Sequence, residues 1–247
     1  HQRGDGGGDE AADDGAADPY RTTMMFRRKA EALGVVFHER EGVTALERSG
    51  STWRVITPGR NFEAPVVVNA AGAWADTIAA MIGDHAPLVT RCSMMIVTEK
   101  LPHFLDPVIG ATGRKLSFKQ AANGSLLIGG GHQGRPDRAH ETYELDMRNL
   151  AMGAQAASAL FPLVKYVTMV RGWAGLEAQT PDHLPIIGAS PAAPGIFHSF
   201  GYSGHGFQLG PVVGSALAEL IVTGATNLPI TPFELNRFSQ KAVSDGV

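Results

Sequence analysis

The chain has 247 residues, 44% of them hydrophobic and 18% charged, with 30 Gly and 15 Pro, which excludes a low-complexity or fibrous chain and leaves room for one large domain or two small ones. The formal net charge of −3 is unevenly spread, because residues 1–18 hold one Arg against six carboxylates and the rest of the chain is close to neutral without a basic cluster. That distribution argues against nucleic acid or an anionic membrane as a partner, and the single cysteine, Cys92, excludes an intrachain disulfide and points to a reducing compartment.

The first 18 residues are rich in Gly, Asp and Ala and carry no aromatic, Leu, Ile, Val or Met. Such a segment cannot offset its ordering entropy by burial, so a disordered tail is expected over 1–18. From Pro19 the texture changes: Phe26, Ala30 and Leu33 share one face and Gly34 stands at a C-cap position, which predicts a helix. VVFHERE, VTALERSG and TWRVITPG then read as short strands. In VVVNAAGAWADTIAAMIG, an apolar strand at Val66 to Val68 runs through Ala70, Ala71 and Gly72 into a helix that ends near Gly83. Small residues at a strand-to-helix turn admit close approach of another group, or serve tight strand–helix packing alone.

From Leu88 to Tyr166 the pattern gives strands in LVTRCSMMIVTE, GRKLSFKQ and SLLIGG and one long helix around Tyr143 to Leu160. That mixture predicts a second, sheet-rich domain. The last third returns to a glycine-punctuated pattern, in which Leu209, Val212, Val213, Ala216, Leu217 and Leu220 define a helix capped by Gly224 and preceded by Gly201, Gly204 and Gly206. No uninterrupted run of 18 apolar residues and no basic-then-apolar leader stands in the chain, and a soluble, cytoplasmic protein without a membrane span is the expectation.

Two stretches match the dinucleotide fingerprint by spacing. Gly6, Gly8 and Ala11 lack a preceding strand. Gly129, Gly131 and Gly134 follow a strand, but RPDRAHETYE separates them from the next helix, so an ordinary turn competes with a nicotinamide-nucleotide site there. FGYSGHGFQLGP suits a cofactor contact better, since its glycines let the backbone fold against a flat ligand and the helix start offers free N–H donors to an anion. The nine histidines show no HExxH spacing, and Ser203 does not sit in a GxSxG frame, so neither a metal site nor a serine hydrolase is supported. Trp53, Trp74 and Trp173 read by default as core or interface aromatics.

VVVNAAGAWA, RGWAGLEAQTPDHLPIIG and GYSGHGFQLGPVVGSALAELI, in this order, resemble the flavin-dependent amine and amino-acid oxidoreductases, the group of D-amino acid oxidase, glycine oxidase and sarcosine oxidase. DDGAADPYR and LSFKQAANGSLLIGG also look like family segments, so the resemblance covers about residues 14–240. It implies a mixed α/β fold, with a partial, Rossmann-like FAD-binding domain (19–87 and 174–247) and a substrate domain on a large mixed β-sheet (88–173). It also implies FAD as cofactor and oxidation of the C–N bond of a small amine or amino acid by hydride transfer to the flavin.

Carried over by position, Ala71, Gly72 and Trp74 fall at the adenosine side, and Gly201, Tyr202, Ser203, Gly204, His205, Gly206 and Phe207 face the flavin ring. Val43 and Gly175 join the cofactor set, and Lys119 and Glu177 join His205 as catalytic candidates. Glu177 stands where glycine oxidase-like members place Arg, and Gln208 where monomeric sarcosine oxidases place Lys. With no cysteine near Glu177, the resemblance implies FAD held non-covalently. Family members open with a strand–GxGxxG–helix unit that has no counterpart before Asp14. The expectation is the C-terminal part of a larger enzyme, deficient on its own; the rival expectation is a non-catalytic subunit or remnant that assembles with a partner chain.

Overall fold

The computed structural model describes residues 17–238, so most of the expected tail, with the Gly6, Gly8 and Ala11 spacing, lies outside the described residues. Asp18 is the N-cap of α1 (Pro19–Ala32): its carboxylate accepts the Arg21 N–H at 3.0 Å, and Pro19 occupies the first turn, where a missing N–H costs nothing. The expected C-cap is present, Gly34 taking φ +92°. Leu33, assigned to the apolar stripe, instead closes the helix and is 81% exposed.

Residues 35–41, read as a strand, form none. Arg40 takes φ +60°, and the Glu41 carboxylate is held by Thr57 Oγ1 at 2.7 Å and Arg60 at 3.2 Å, which fixes this stretch as a loop that no neighbouring strand meets. The remaining strands are β1 (Ala45–Ser49), β2 (Thr52–Ile56), β3 (Asn61–Ala64), β4 (Val67–Asn69), β5 (Val89–Lys100), β6 (Ile109–Gly110), β7 (Ser117–Gln120), β8 (Ser125–Gly129), β9 (Arg135–Asp137), β10 (Thr142–Glu144), β11 (Met169–Gln179), β12 (Ile186–Ala189) and β13 (Ile196–Phe200). The helices after α1 are α2 (Ala75–Ala80), α3 (Met147–Leu160) and α4 (Gly206–Thr223). The helix expected from Tyr143 begins only at Met147, because Asp146 caps it through the Asn149 N–H at 2.9 Å and Thr142–Glu144 pair as a strand.

The chain divides into two compact units: the described parts of His1–Val35, Cys92–Arg135 and Tyr143–Gly175 form one, and those of Val36–Arg91, Pro136–Thr142 and Leu176–Val247 the other. The first is built on a five-stranded sheet of order β11-β5-β8-β7-β6, in which β5–β8, β8–β7 and β7–β6 pair antiparallel. Strand alternation makes its core: Cys92, Met94, Ile96 and Thr98, every second residue of β5, are buried with Phe118, Leu126 and Ile128. Leu150 and Ala157 of α3 complete that core, and Phe118 stacks on Phe161 with ring centroids 4.8 Å apart.

The Gly129, Gly131 and Gly134 stretch is an ordinary turn. A Cβ on Gly134 would lie 2.5 Å from the Glu144 carbonyl, and the chain continues from it into the β9–β10 ribbon rather than into a helix start.

The second unit carries the antiparallel meander β1-β2-β3 and a three-stranded sheet of order β12-β13-β4. Here β13 runs antiparallel to β12 and parallel to β4, with His198 opposite Asn69. The apolar-run criterion passes over α4, whose Gly, Gln, Pro, Ser and Glu interrupt the run: by length and composition this 18-residue helix is apolar enough to cross a membrane. In the structure its Val213 and Leu217 pack on Ile187 of β12, and Gly224, at φ +80°, caps it.

Arg237 anchors the C-terminal part of this unit, donating to Asp182 at 2.9 Å and to the Phe233 and Leu184 carbonyls at 2.7 and 2.8 Å. Burial works to raise the Asp182 pKa, but the guanidinium and the Leu184 N–H outweigh it and hold the carboxyl below its usual value. A carboxylate depressed in the folded state adds stability that is complete above its unfolded value, about 3.9, and is lost as pH falls through the folded one. Arg237→Met is therefore expected to lower stability at pH 7 by about 2–3 kcal/mol and to flatten its decline between about pH 4 and 2. Urea unfolding at pH 7 and pH 3 checks this, and an unchanged acid dependence would remove Asp182 from the account.

Candidate functional site

β4 and β13 lie side by side and parallel, and each delivers the chain from its carboxyl end into a small-residue turn and then a helix. The carboxyl ends of parallel strands are where open α/β sheets bind ligands, because the turns and helix starts there present unpaired N–H groups.

The first turn, Ala70–Trp74, is shaped by a residue that motif reading passed over. Asn69 is 3% exposed, its Oδ1 accepts the Ala71 N–H at 3.2 Å and its Nδ2 donates to the Ala75 carbonyl at 2.9 Å, so one side chain spans the turn. Gly72 sits within it at φ +54°, exposed. A concavity of about 550 Å³ opens beside it, with Val43, Leu46, Val55, Ala71, Trp74 and Ile78 among its apolar lining and Glu41 and Glu141 as its acidic members. Trp74 is thus part wall and part anchor, its Nε1 donating to the Arg138 carbonyl at 3.2 Å.

Arg138 also grips Asp76 through both Nη atoms, at 2.9 and 2.6 Å. Burial pushes the Asp76 carboxyl up, but the Arg138 hydrogen bonds and charge, with the Thr77 N–H, win and hold it below its usual range. Apolar walls with acidic members suit a neutral aromatic or ribosyl group and repel a phosphate. Sequence reading placed Val43, Ala71 and Trp74 in the cofactor set, and the structure brings those three to one surface.

The second turn, Gly201–Phe207, follows β13. Gly201 has φ +73°, and a Cβ there would meet Thr180 Cγ2 at 2.8 Å. Ser203, at φ +52°, occupies a region that costs a non-glycine residue about 1–3 kcal/mol. It is held there by hydrogen bonds of its Oγ to the Gly201 carbonyl and the Thr180 N–H, at 3.2 and 3.4 Å. Tyr202 turns its hydroxyl toward Ser199 at 2.6 Å, and burial pushes its phenol pKa up.

Gly204, His205 and Phe207 are exposed. His205 is the N-cap of α4 and its side chain makes no capping hydrogen bond to the helix's amino end. That end, carrying about half a positive charge, stabilises a negative group brought against it.

Glu177 of β11 lies beside this turn, its Oε1 3.8 Å from the position a Cβ on Gly204 would take. The structure therefore gathers Glu177 with Gly204 and His205 in the second unit. Lys119, half-buried on β7 opposite Leu127, and Gly175, on β11, belong to the first unit. Among the described residues, no three His, Cys, Asp or Glu side chains gather in a metal-binding group.

Residues 3–220 match the model of the DAO family of FAD dependent oxidoreductases. The chain is 28% identical over 233 residues to the hydrogen cyanide synthase subunit HcnC of Pseudomonas protegens, covering 93% of this chain and 54% of that protein. It is 27% identical over 239 residues to mitochondrial sarcosine dehydrogenase of Mus musculus, covering 91% of this chain and 26% of the other.

Among solved structures, L-proline dehydrogenase from P. horikoshii superposes with a TM-score of 0.85 at 28% identity, covering 91% of this chain and 61% of that one. Glycine oxidase from Geobacillus kaustophilus gives 0.76 at 25% identity, covering 84% and 55%. The chain spans about half the length of HcnC and about a quarter of sarcosine dehydrogenase. The fold is the mixed α/β arrangement of several sheets that the resemblance implied, and the chain belongs to the family of FAD dependent oxidoreductases.

Proposed function

We propose that this chain is part of an FAD-dependent oxidoreductase that oxidises the C–N bond of a small amine or amino acid, with FAD held non-covalently. The observation that carries the reading is the glycine turn at Gly201–Phe207, leading into the uncapped amino end of α4 at the carboxyl end of a strand parallel to β4. Bound FAD would supply the acceptor for the hydride from the carbon next to nitrogen, leaving an imine for water to hydrolyse.

The chain's own residues supply placement and charge. The concavity at Val43, Ala71 and Trp74 would hold the adenosine, and Gly201 to Phe207 would lie along the flavin. The N–H groups that open α4 would stabilise negative charge on its ring. Glu177 puts a carboxylate beside Gly204, where it attracts the ammonium of an amine substrate and opposes a substrate carboxylate. His205, exposed next to it, would touch the substrate side. Lys119 stays in the reading as a third candidate on the resemblance alone.

The short span relative to the relatives supports a chain that carries only part of a complete site. A partner subunit is the second reading, favoured by the likeness to HcnC, whose name is that of a subunit. Fluorescence titration with FAD tests the site. The chain is expected to bind FAD weakly and to turn over neither sarcosine nor proline. Gly204→Val, at φ +94° and beside Glu177, is expected to weaken what binding there is by at least about tenfold, because a side chain there fills the flavin face and strains the turn. Equal FAD affinity for both proteins would overturn the site; turnover by the chain alone would overturn its deficiency. Light scattering of the purified chain with a partner candidate separates the subunit reading.

A further inference from the structure

A buried chain of polar groups runs from the Ala70–Trp74 turn through β13 to the segment after α2. His198 lies in β13, 1% exposed, and its Nε2 is 2.8 Å from Asp84 Oδ2. Asp84, buried in the segment after α2, also accepts the Ser190 hydroxyl and the Ala192 N–H. Because a carboxylate only accepts, Nε2 of His198 must carry a proton. On the other edge of the ring, Nδ1 lies 3.5 Å from Asn69 Nδ2. The Asn69 amide has no freedom to turn round: the Ala71 N–H demands its oxygen and the Ala75 carbonyl demands its nitrogen. An N–H group therefore points at Nδ1, which must be unprotonated, and the ring is neutral in a single tautomer.

We propose that Asn69 and His198 are positioning residues that hold the Ala70–Trp74 turn in place beside β13, and that they do so only while His198 is neutral with its proton on Nε2. A proton on Nδ1 would set N–H against N–H. Turning the Asn69 amide to relieve it would set Oδ1 against the Ala75 carbonyl and Nδ2 against the Ala71 N–H, so the turn loses its brace either way. The bearing of this latch on cofactor binding rests on the proposed FAD site; the latch itself does not.

Among the described residues, the ionisable groups on the elements around His198 are few. The segment after α2 contributes Asp84 and the exposed His85. From α2, Asp76 is engaged with Arg138, and from the segment after Thr231–Phe233, Glu234 accepts from Asn236. β4 and β12 contribute none. Burial lowers the His198 pKa and outweighs the hydrogen bond and charge of Asp84, which raise it. A histidine depressed in the folded state leaves stability complete above its unfolded value, about 6.5, and erodes it as pH falls from there toward the folded value.

The test is nitrogen-15 NMR of the chain labelled in histidine, tryptophan and alanine, assigned with His198→Gln, Trp74→Phe and Ala71→Ser. Across pH 7–8, His198 is expected to show a protonated Nε2 and a bare Nδ1. On acidification below pH 6.5, the Trp74 indole and Ala71 amide signals are expected to move with the midpoint of His198. Asn69→Asp puts an acceptor against Nδ1 and is expected to raise that midpoint by about one pH unit or more. A proton on Nδ1 at pH 7, or Trp74 and Ala71 signals that ignore the His198 titration, would overturn the latch, and the wild-type measurement alone decides it if Asn69→Asp does not fold. An FAD titration in parallel keeps the two readings apart: latch signatures without FAD binding sink the cofactor site alone, and FAD binding without them sinks the latch alone.

Discussion

Asp84→Ala is expected to destabilise the second unit by about 3–5 kcal/mol, the range for removing one partner from a buried charged network. The carboxylate serves three donors, the His198 imidazole, the Ser190 hydroxyl and the Ala192 N–H, and the buried two among them have no water to turn to. Each orphaned buried donor costs about 1–3 kcal/mol, less whatever collapse recovers. Asp84→Asn should cost less, because an amide oxygen still accepts from His198, although its NH₂ finds donors where it needs an acceptor. Equilibrium urea unfolding measures the difference, and a loss below about 1 kcal/mol for Asp84→Ala would show that the network carries little of the fold.

Gly130→Ala is expected to be comparably severe in the first unit, at about 3 kcal/mol or more. Gly130 has φ +124°, and its Cβ would stand 2.5 Å from the Leu116 nitrogen and the Lys115 carbonyl carbon, backbone atoms that cannot move without breaking the β7–β8 pairing. The neighbouring Gly131→Ala is its control. Gly131 has φ +79° but open space around its Cβ, so only the conformational cost of about 1 kcal/mol applies. Similar losses for the two variants would mean that φ alone, rather than the close approach of the Lys115–Leu116 backbone, sets the requirement.

How much of this was legible in the sequence varies with the kind of interaction involved. α4 and β5 announce themselves because burial on one face imposes a period on the residues, and that period survives in the string. The two glycine-bearing turns were legible for a related reason: a left-handed φ or a close approach narrows the choice to Gly, as at Gly201. The loop at 35–41 was misread because its β-branched residues signal strand, whereas what decided the matter was Glu41 finding Thr57 and Arg60 far along the chain. Asp84 and His198 were missed for the same reason, while Asn69, whose Ala71 and Ala75 partners are close in the chain, was passed over among the small residues of the turn. No local pattern marks a side chain whose partners lie over a hundred residues away, and only the parallel register of β13 on β4 sets His198 opposite Asn69. Arg138 was likewise invisible until the chain carried it to Asp76.

Cys92 gives the first unit an internal witness. It is the chain's single thiol, wholly enclosed with Met94 and Phe118 of the same core, and burial pushes its pKa up, so that neither access nor thiolate character favours reaction. A thiol-directed reagent must wait for that core to part, and the clock it then reads is the opening of the five-stranded sheet, separate from any event at the turns of the second unit.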